Sequence, residues 1–205
     1  MSKTTKQVIE FVEESHTYLL NGVVIPSVSE IISDDTYASI PPHILENAAK
    51  RGSAVHLASE MIDKGKKPKL DSSFAEWVVQ YLRFKLSWIN KNYNQQIAYD
   101  SIETIVHTNE YGGTIDRVIL DGDDYVICDI KTTSKLYKDK IALQLGGYAY
   151  AHSLMNNVSL DEYRGSVIWL RKNSWKYVEI TPNVDGFLEK LEQWKARQVD
   201  NEIDW

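Results

Sequence analysis

The period of the apolar positions changes several times along the chain, and each change marks an element. Residues 8–25 alternate weakly and carry Asn21-Gly22, a hairpin signal, so two short strands are predicted there. Ser27 is placed to cap a short helix over 28–33. Pro41-Pro42 opens a helix predicted over 43–64, with Ile44, Ala48, Val55, Ala58 and Ile62 among its apolar positions and Gly65 to end it. A second helix is predicted over 73–90, where Trp77, Val78, Tyr81, Leu82 and Leu86 recur at helical spacing. Residues 96–107 are β-rich. Strands over 113–120 and 125–130 flank Asp121-Gly122-Asp123-Asp124, a hairpin turn. A helix over 138–155 follows, then strands over 165–171 and 175–180 around Lys172-Asn173-Ser174, then a closing helix over 184–198. The order is helices, a strand group, one crossover helix and more strands. It predicts an α/β (α+β) fold with a central mixed β-sheet flanked by helices. No repeat, linker or low-complexity tract interrupts it. One domain is expected over 1–205: an N-terminal hairpin and helices to 95, the sheet and crossover helix over 96–180, and the last helix from 181.

Composition narrows the class. At 205 residues the chain can bury a sizeable core without disulfides, and its 43% hydrophobic and 25% charged residues are ordinary for a globular protein. The one cysteine, Cys128, excludes both an internal disulfide and a four-cysteine zinc or iron–sulfur site. The polar start from Met1 to Gln7 lacks the apolar core of a signal peptide, and no apolar run approaches the roughly 20 residues of a membrane helix. A cytoplasmic protein is expected. The net charge of −6 counts against a nucleic-acid partner, but its distribution matters more. Lys64, Lys66, Lys67 and Lys69 form one cluster, and Lys131, Lys135, Lys138 and Lys140 another.

The central hairpin carries the candidate chemistry. If its loop is Gly122-Asp123, residues whose numbers sum to about 245 face each other across the pair, which sets Asp116 against Asp129. If the loop is Asp121-Gly122, the two become diagonal neighbours. Side chains alternate with period two, so both registers put the two aspartates on one face, together with Lys131. Opposed carboxylates repel, with Cβ atoms about 5 Å apart. A divalent cation turns that repulsion into ligation, and oxygen-rich sites suit Mg²⁺ or Mn²⁺. The plainer reading is that one aspartate faces solvent and Lys131 neutralises the other.

Two helices add to the set. Gly52, His56 and Glu60 lie at i, i+4, i+8 and share a face, and small residues around Gly52 leave room for another chain or a ligand. Gln144, Tyr148 and His152 repeat that spacing on the crossover helix. Alone, each set also reads as ordinary helix amphipathicity.

Taken in order, four segments resemble the RecB-like, phage-type exonuclease branch of the PD-(D/E)XK nuclease superfamily. They are Arg51-Gly52-Ser53-Ala54-Val55-His56 with Glu60, Gly112-Gly113-Thr114-Ile115-Asp116-Arg117, Cys128-Asp129-Ile130-Lys131-Thr132-Thr133, and Gln144 with Tyr148. They span about half the chain. Each motif alone is weak, and the ordered set is strong. The resemblance implies a restriction-endonuclease-like core and a metal-dependent nuclease that hydrolyses phosphodiester bonds in DNA. It favours an exonuclease of recombination, repair or phage DNA metabolism. A structure-specific endonuclease and a non-cleaving nucleic-acid-binding module remain as alternatives.

The resemblance also implies roles. His56, Asp116 and Asp129 would ligate one or two Mg²⁺ or Mn²⁺ ions, with the Ile130 carbonyl as a further ligand and Glu60 as an additional candidate. Asp116, Asp129 and Lys131 form the catalytic set, in which Lys131 orients or deprotonates the attacking water. Gln144 and Tyr148 hold the nucleic acid, and Arg51 and Lys135 are further candidates for that task. Glu103 sits where relatives often carry a glutamate, with its role open. Relatives that carry an iron–sulfur cluster are excluded by the single cysteine. DNA is the expected partner, a recombination or replication protein is a candidate second one, and a homo-oligomer stays open. Trp194 reads as core, while Trp205 is a candidate contact.

Overall fold

A computed structural model describes residues 7–34, 38–69, 72–91 and 95–203, with side chains described to 199. Trp205 lies outside the described residues. Residues 9–25 form three strands rather than two: β1 (Ile9–Val12), β2 (Thr17–Leu20) and β3 (Val23–Ile25), in an antiparallel sheet of that order. The expected Asn21-Gly22 turn joins β2 to β3. The unexpected strand is reached through a turn at Glu13–His16, where His16 takes φ 53°, a conformation its side chain does not announce.

Ser27 caps α1 (Val28–Ile31) in a capping box with Glu30. The helices α2 (Pro42–Asp63) and α3 (Ala75–Lys91) follow, the first entered through Pro41 and ended before Gly65 at φ 70°. The main sheet contains β4 (Tyr99–His107), β5 (Gly112–Asp121), β6 (Asp124–Lys131), β7 (Tyr163–Arg171) and β8 (Ser174–Glu179) in sequence order. Helix α4 (Lys138–Asn156) crosses from β6 to β7, the one parallel pair, and all other neighbours are antiparallel. The sheet is therefore mixed, as expected. Helix α5 (Val184–Ile203) closes the chain.

Alternation along β6 sorts its residues between two layers. Cys128 and Ile130 pack with Val55 of α2 and Val78 and Phe84 of α3. Ile127, with Val118 and Val167, packs with Leu145 of α4 and Phe187 of α5, and Trp194 lies against this core. Asp129 and Lys131 share the α4 side, where Lys131 meets Gln144. The β5–β6 loop is Gly122-Asp123, with Gly122 at φ 66°, and the paired residues run from Asp121↔Asp124 to Arg117↔Cys128. This is the glycine-first register, and it brings Asp116 and Asp129 to the end of the pair.

Gly112 and Gly113 open β5 where three elements meet. A Cβ on Gly113 would lie 2.6 Å from Cε1 of the Tyr148 ring, and one on Gly112 would lie 2.9 Å from the Tyr18 ring. Gly113→Ala therefore has to push Tyr148 aside, at a cost of about 1–3 kcal/mol, visible as a lower thermal midpoint. An unchanged midpoint would mean that the ring moves freely. Among the described residues no helix is long and apolar enough to cross a membrane.

Candidate active site

Asp116 lies midway along β5 and Asp129 and Lys131 at the C-terminal end of β6, and α2 brings His56 against them. Together with Gly52, Glu60, Glu103, Gln144 and Tyr148 they line a cleft of about 680 Å³. The Asp116 carboxylate is almost fully buried. Its Oδ2 accepts the Ile130 N–H at 2.6 Å, and its Oδ1 lies 3.2 Å from His56 Nδ1. The other ring nitrogen, Nε2, lies 2.8 Å from the Ile130 carbonyl oxygen. The predicted carbonyl ligand thus accepts from His56 in this arrangement.

Both His56 ring nitrogens face oxygen acceptors, and only the doubly protonated ring satisfies both. Burial opposes the charge, yet the neighbouring Asp116, by charge and hydrogen bond, and Asp129 lift the His56 pKa to about 9. Asp116 moves the opposite way. Burial works against its ionisation, but the His56 charge and hydrogen bond and the Ile130 N–H hold its pKa below the ordinary value. Burial and Asp116 raise Glu103 to about 7, against the pull of Arg117. Burial likewise raises the Asp129 pKa, against the pull of Lys131.

Two features of the donor set suit a bound positive charge. Ligating atoms of His56, Glu103 and Asp116 lie within 4.8 Å of one another. Asp129 adds a buried carboxylate whose Oδ1 takes the Lys131 ammonium at 3.0 Å and whose Oδ2 has no hydrogen-bond partner among the described residues. Burying such an atom unpaired costs about 1–3 kcal/mol. A hard divalent cation fits this oxygen-rich set, with one imidazole nitrogen in place of its proton. Lys131 also donates to Gln144 Oε1 at 3.0 Å, and Gln144 Nε2 donates to the Tyr148 hydroxyl at 3.1 Å. The Gln-x-x-x-Tyr pair therefore extends the aspartate–lysine chain along α4.

The structure brings most of the expected residues together but not all. Glu60 faces the cleft and pairs with Lys64 at 2.5 Å. Lys135 lies in an adjoining lobe and sits over the Tyr137 ring at 4.9 Å. Arg51 does not reach the cleft. Its guanidinium lies over Trp77 of α3 at 5.1 Å. His152 belongs to the core, bonded to the Tyr163 hydroxyl at 2.6 Å. Sequence reasoning gave no role to Ser59, Asp63 or Arg117, of which Arg117 bonds Glu103 and is itself bonded to the other two. The available signal was the i+3 and i+7 spacing of Ser59 and Asp63 from His56, on one face of α2.

A proton shared with Asp116 has to leave His56 before the ring nitrogen can take a metal ion. Binding of Mn²⁺ to the metal-free protein near pH 7 is expected to release about one proton, with apparent affinity rising as pH rises toward 9. Calorimetry in buffers of different ionisation heat measures this, and release of none would remove His56 from the ligand set. The raised pKa also means that His56 stabilises the metal-free fold below its ordinary 6.5, and that this stabilisation is lost as pH rises through about 9.

The model of the PD-(D/E)XK nuclease superfamily matches residues 36–203. The chain belongs to that superfamily, and its mixed five-stranded sheet between helical layers is the restriction-endonuclease-like fold. Similar solved structures include SSO0001, at 14% identity and a TM-score of 0.39, covering 82% of this chain and 72% of that one. A phage-related exonuclease from Haemophilus somnus 129PT aligns at 10% identity and a TM-score of 0.39, covering 82% and 88%. No curated protein matches the chain.

Proposed function

We propose that the chain is a divalent-metal-dependent deoxyribonuclease that removes nucleotides from DNA ends, with Asp116, Asp129 and His56 as ligands and Lys131 as the catalytic cation. The observation that carries this reading is the buried, unpartnered Oδ2 of Asp129 beside Asp116, His56 and Lys131 on the floor of an open cleft. A bound divalent ion supplies an acidified water and a polarised phosphate there. The protein does the rest. Asp116 and Asp129 are fixed by strand pairing, and the Ile130 N–H and the Lys131 ammonium hold their oxygens in place. Lys131 stands beside the position where negative charge grows in the transition state and stabilises it without reorganisation. Gln144 fixes Lys131, and Tyr148 packed on Gly113 fixes Gln144. The preference for ends rests on the Gln144 and Tyr148 resemblance, which belongs to a branch rich in end-processing enzymes.

The path of the strand follows the charge. An adjoining lobe of about 310 Å³ shares Ser29, Lys131 and Gln144 with the cleft and is also lined by Lys135 and Lys140. In a chain of net charge −6, this gathering of lysines supports a backbone track. Lys135→Ala is expected to flatten the plot of log affinity against log salt by about 0.7–0.9, one phosphate contact. Fluorescence anisotropy with a short oligonucleotide in Ca²⁺ reads the slope, and an unchanged slope would remove Lys135 from the track.

The assay that separates modes of cutting compares end-labelled linear DNA with closed circular DNA in Mn²⁺ and in chelator. Loss of the linear form alone fits the proposal. Nicking of the circle would make the protein an endonuclease, and cleavage of neither would make it a binding module.

A further inference from the structure

Arg117 is the largest fully buried side chain among the described residues, and its interactions reach three elements. Its Nε donates to Asp63 Oδ2 of α2 at 2.6 Å. One terminal nitrogen donates to Glu103 Oε1 of β4 at 2.9 Å and to the Asp116 carbonyl of β5 at 2.5 Å. The other donates to Ser59 Oγ at 3.1 Å. Asp63 is equally buried and accepts from Lys85, Tyr81 and Tyr99 besides Arg117. A buried ion pair that only joined α2 to the sheet would be replaceable by apolar packing.

Two observations point beyond that role. First, Glu103 takes φ 51° inside a strand, a conformation that costs a residue with a Cβ about 1–3 kcal/mol and clusters at functional sites. Arg117 holds the carboxylate of this strained residue. Second, the guanidinium touches or ties each member of the His56–Glu103–Asp116 group. It bonds Glu103 directly, bonds the Asp116 backbone, and through Ser59 and Asp63 fixes the helix that carries His56.

We infer that Asp63 and Arg117 are positioning residues that hold the Glu103 carboxylate in the metal-binding group, so that the site is assembled around one buried guanidinium. The inference rests on the metal-dependent reading above. Neither residue touches substrate or metal, and both act through Glu103.

Mn²⁺ affinity, measured by calorimetry on the full chain without DNA, tests this beside thermal melting. Arg117→Lys keeps the charge but not the fork, and is expected to weaken Mn²⁺ binding about 10–100-fold, the usual effect of losing a partner behind a ligand. In a Glu103→Gln background the same change should add less than about threefold, because the pathway through Glu103 is already broken. Lys85→Met is the control. It also removes a partner of Asp63 but does not contact Glu103, and is expected to lower the melting temperature with little change in affinity. Should Arg117→Lys not fold, Asp63→Asn carries the same expectation. A folded variant with wild-type affinity would overturn the inference, as would a loss of equal size from Lys85→Met or full additivity with Glu103→Gln. Absence of Mn²⁺ binding by the wild type is a separate result and would sink the metal-dependent reading itself.

Discussion

Asp129→Ala is expected to lose DNA cleavage on the order of 10³-fold or more, while the metal-free variant melts no lower than the wild type. The two halves of that result come from one feature. Asp129 is buried, its pKa is raised by that burial, and its Oδ2 lacks a partner. A carboxylate in this state works against folding near neutral pH, because the charged form is the disfavoured one. Removing it relieves that cost, and Lys131 keeps its bond to Gln144. Sites that oppose stability are where function resides. Melting and cleavage measured on the same preparation check both halves. A large fall in melting temperature would make Asp129 a structural residue, and retained metal-dependent cleavage would remove it from the site.

Lys131→Ala is expected to cut cleavage about 10²–10³-fold, the range found when one preorganised donor to a transition state is lost. Its effect on metal should differ from that of Asp129→Ala. The ammonium lies beside the carboxylates and offers no ligand, so Mn²⁺ binding should survive or tighten once a competing positive charge has gone. Cleavage kinetics together with calorimetry separate the two roles. Loss of metal binding in Lys131→Ala would mean that the lysine holds Asp129 in place and does not act on the phosphate.

The parts of this arrangement differ in how far they could be read from the chain. The shared face of Asp116, Asp129 and Lys131 was legible from periodicity alone, because a strand has period two in either hairpin register, whereas the choice between the two registers came only with the paired strands. Gly52, His56 and Glu60 were legible as one helical face for the same reason. Arg51 was not. It sits one residue, about 100° around the helix, from Gly52, and its proximity in sequence to the motif says nothing about Trp77 of a second helix. The extra N-terminal strand was hidden because its turn ends in His16 at φ 53°, where a histidine gives no signal. Glu103 was named from the resemblance with its role open, but its left-handed backbone at φ 51° and its ion pair with Arg117 were not legible, because no local pattern encodes either. The buried Asp63–Arg117 pair joins residues 54 positions apart, and periodicity carries no information over that distance.

The central claim is that the cluster around Asp129 hydrolyses DNA with a divalent metal. The most direct test incubates end-labelled linear DNA with the wild type in Mn²⁺, in Mg²⁺ and in chelator, with Asp129→Ala alongside. Shortening of the DNA by the wild type in either metal, with none in chelator and none by the variant, is the predicted result. Equal shortening by the variant, or shortening that persists in chelator, would contradict it.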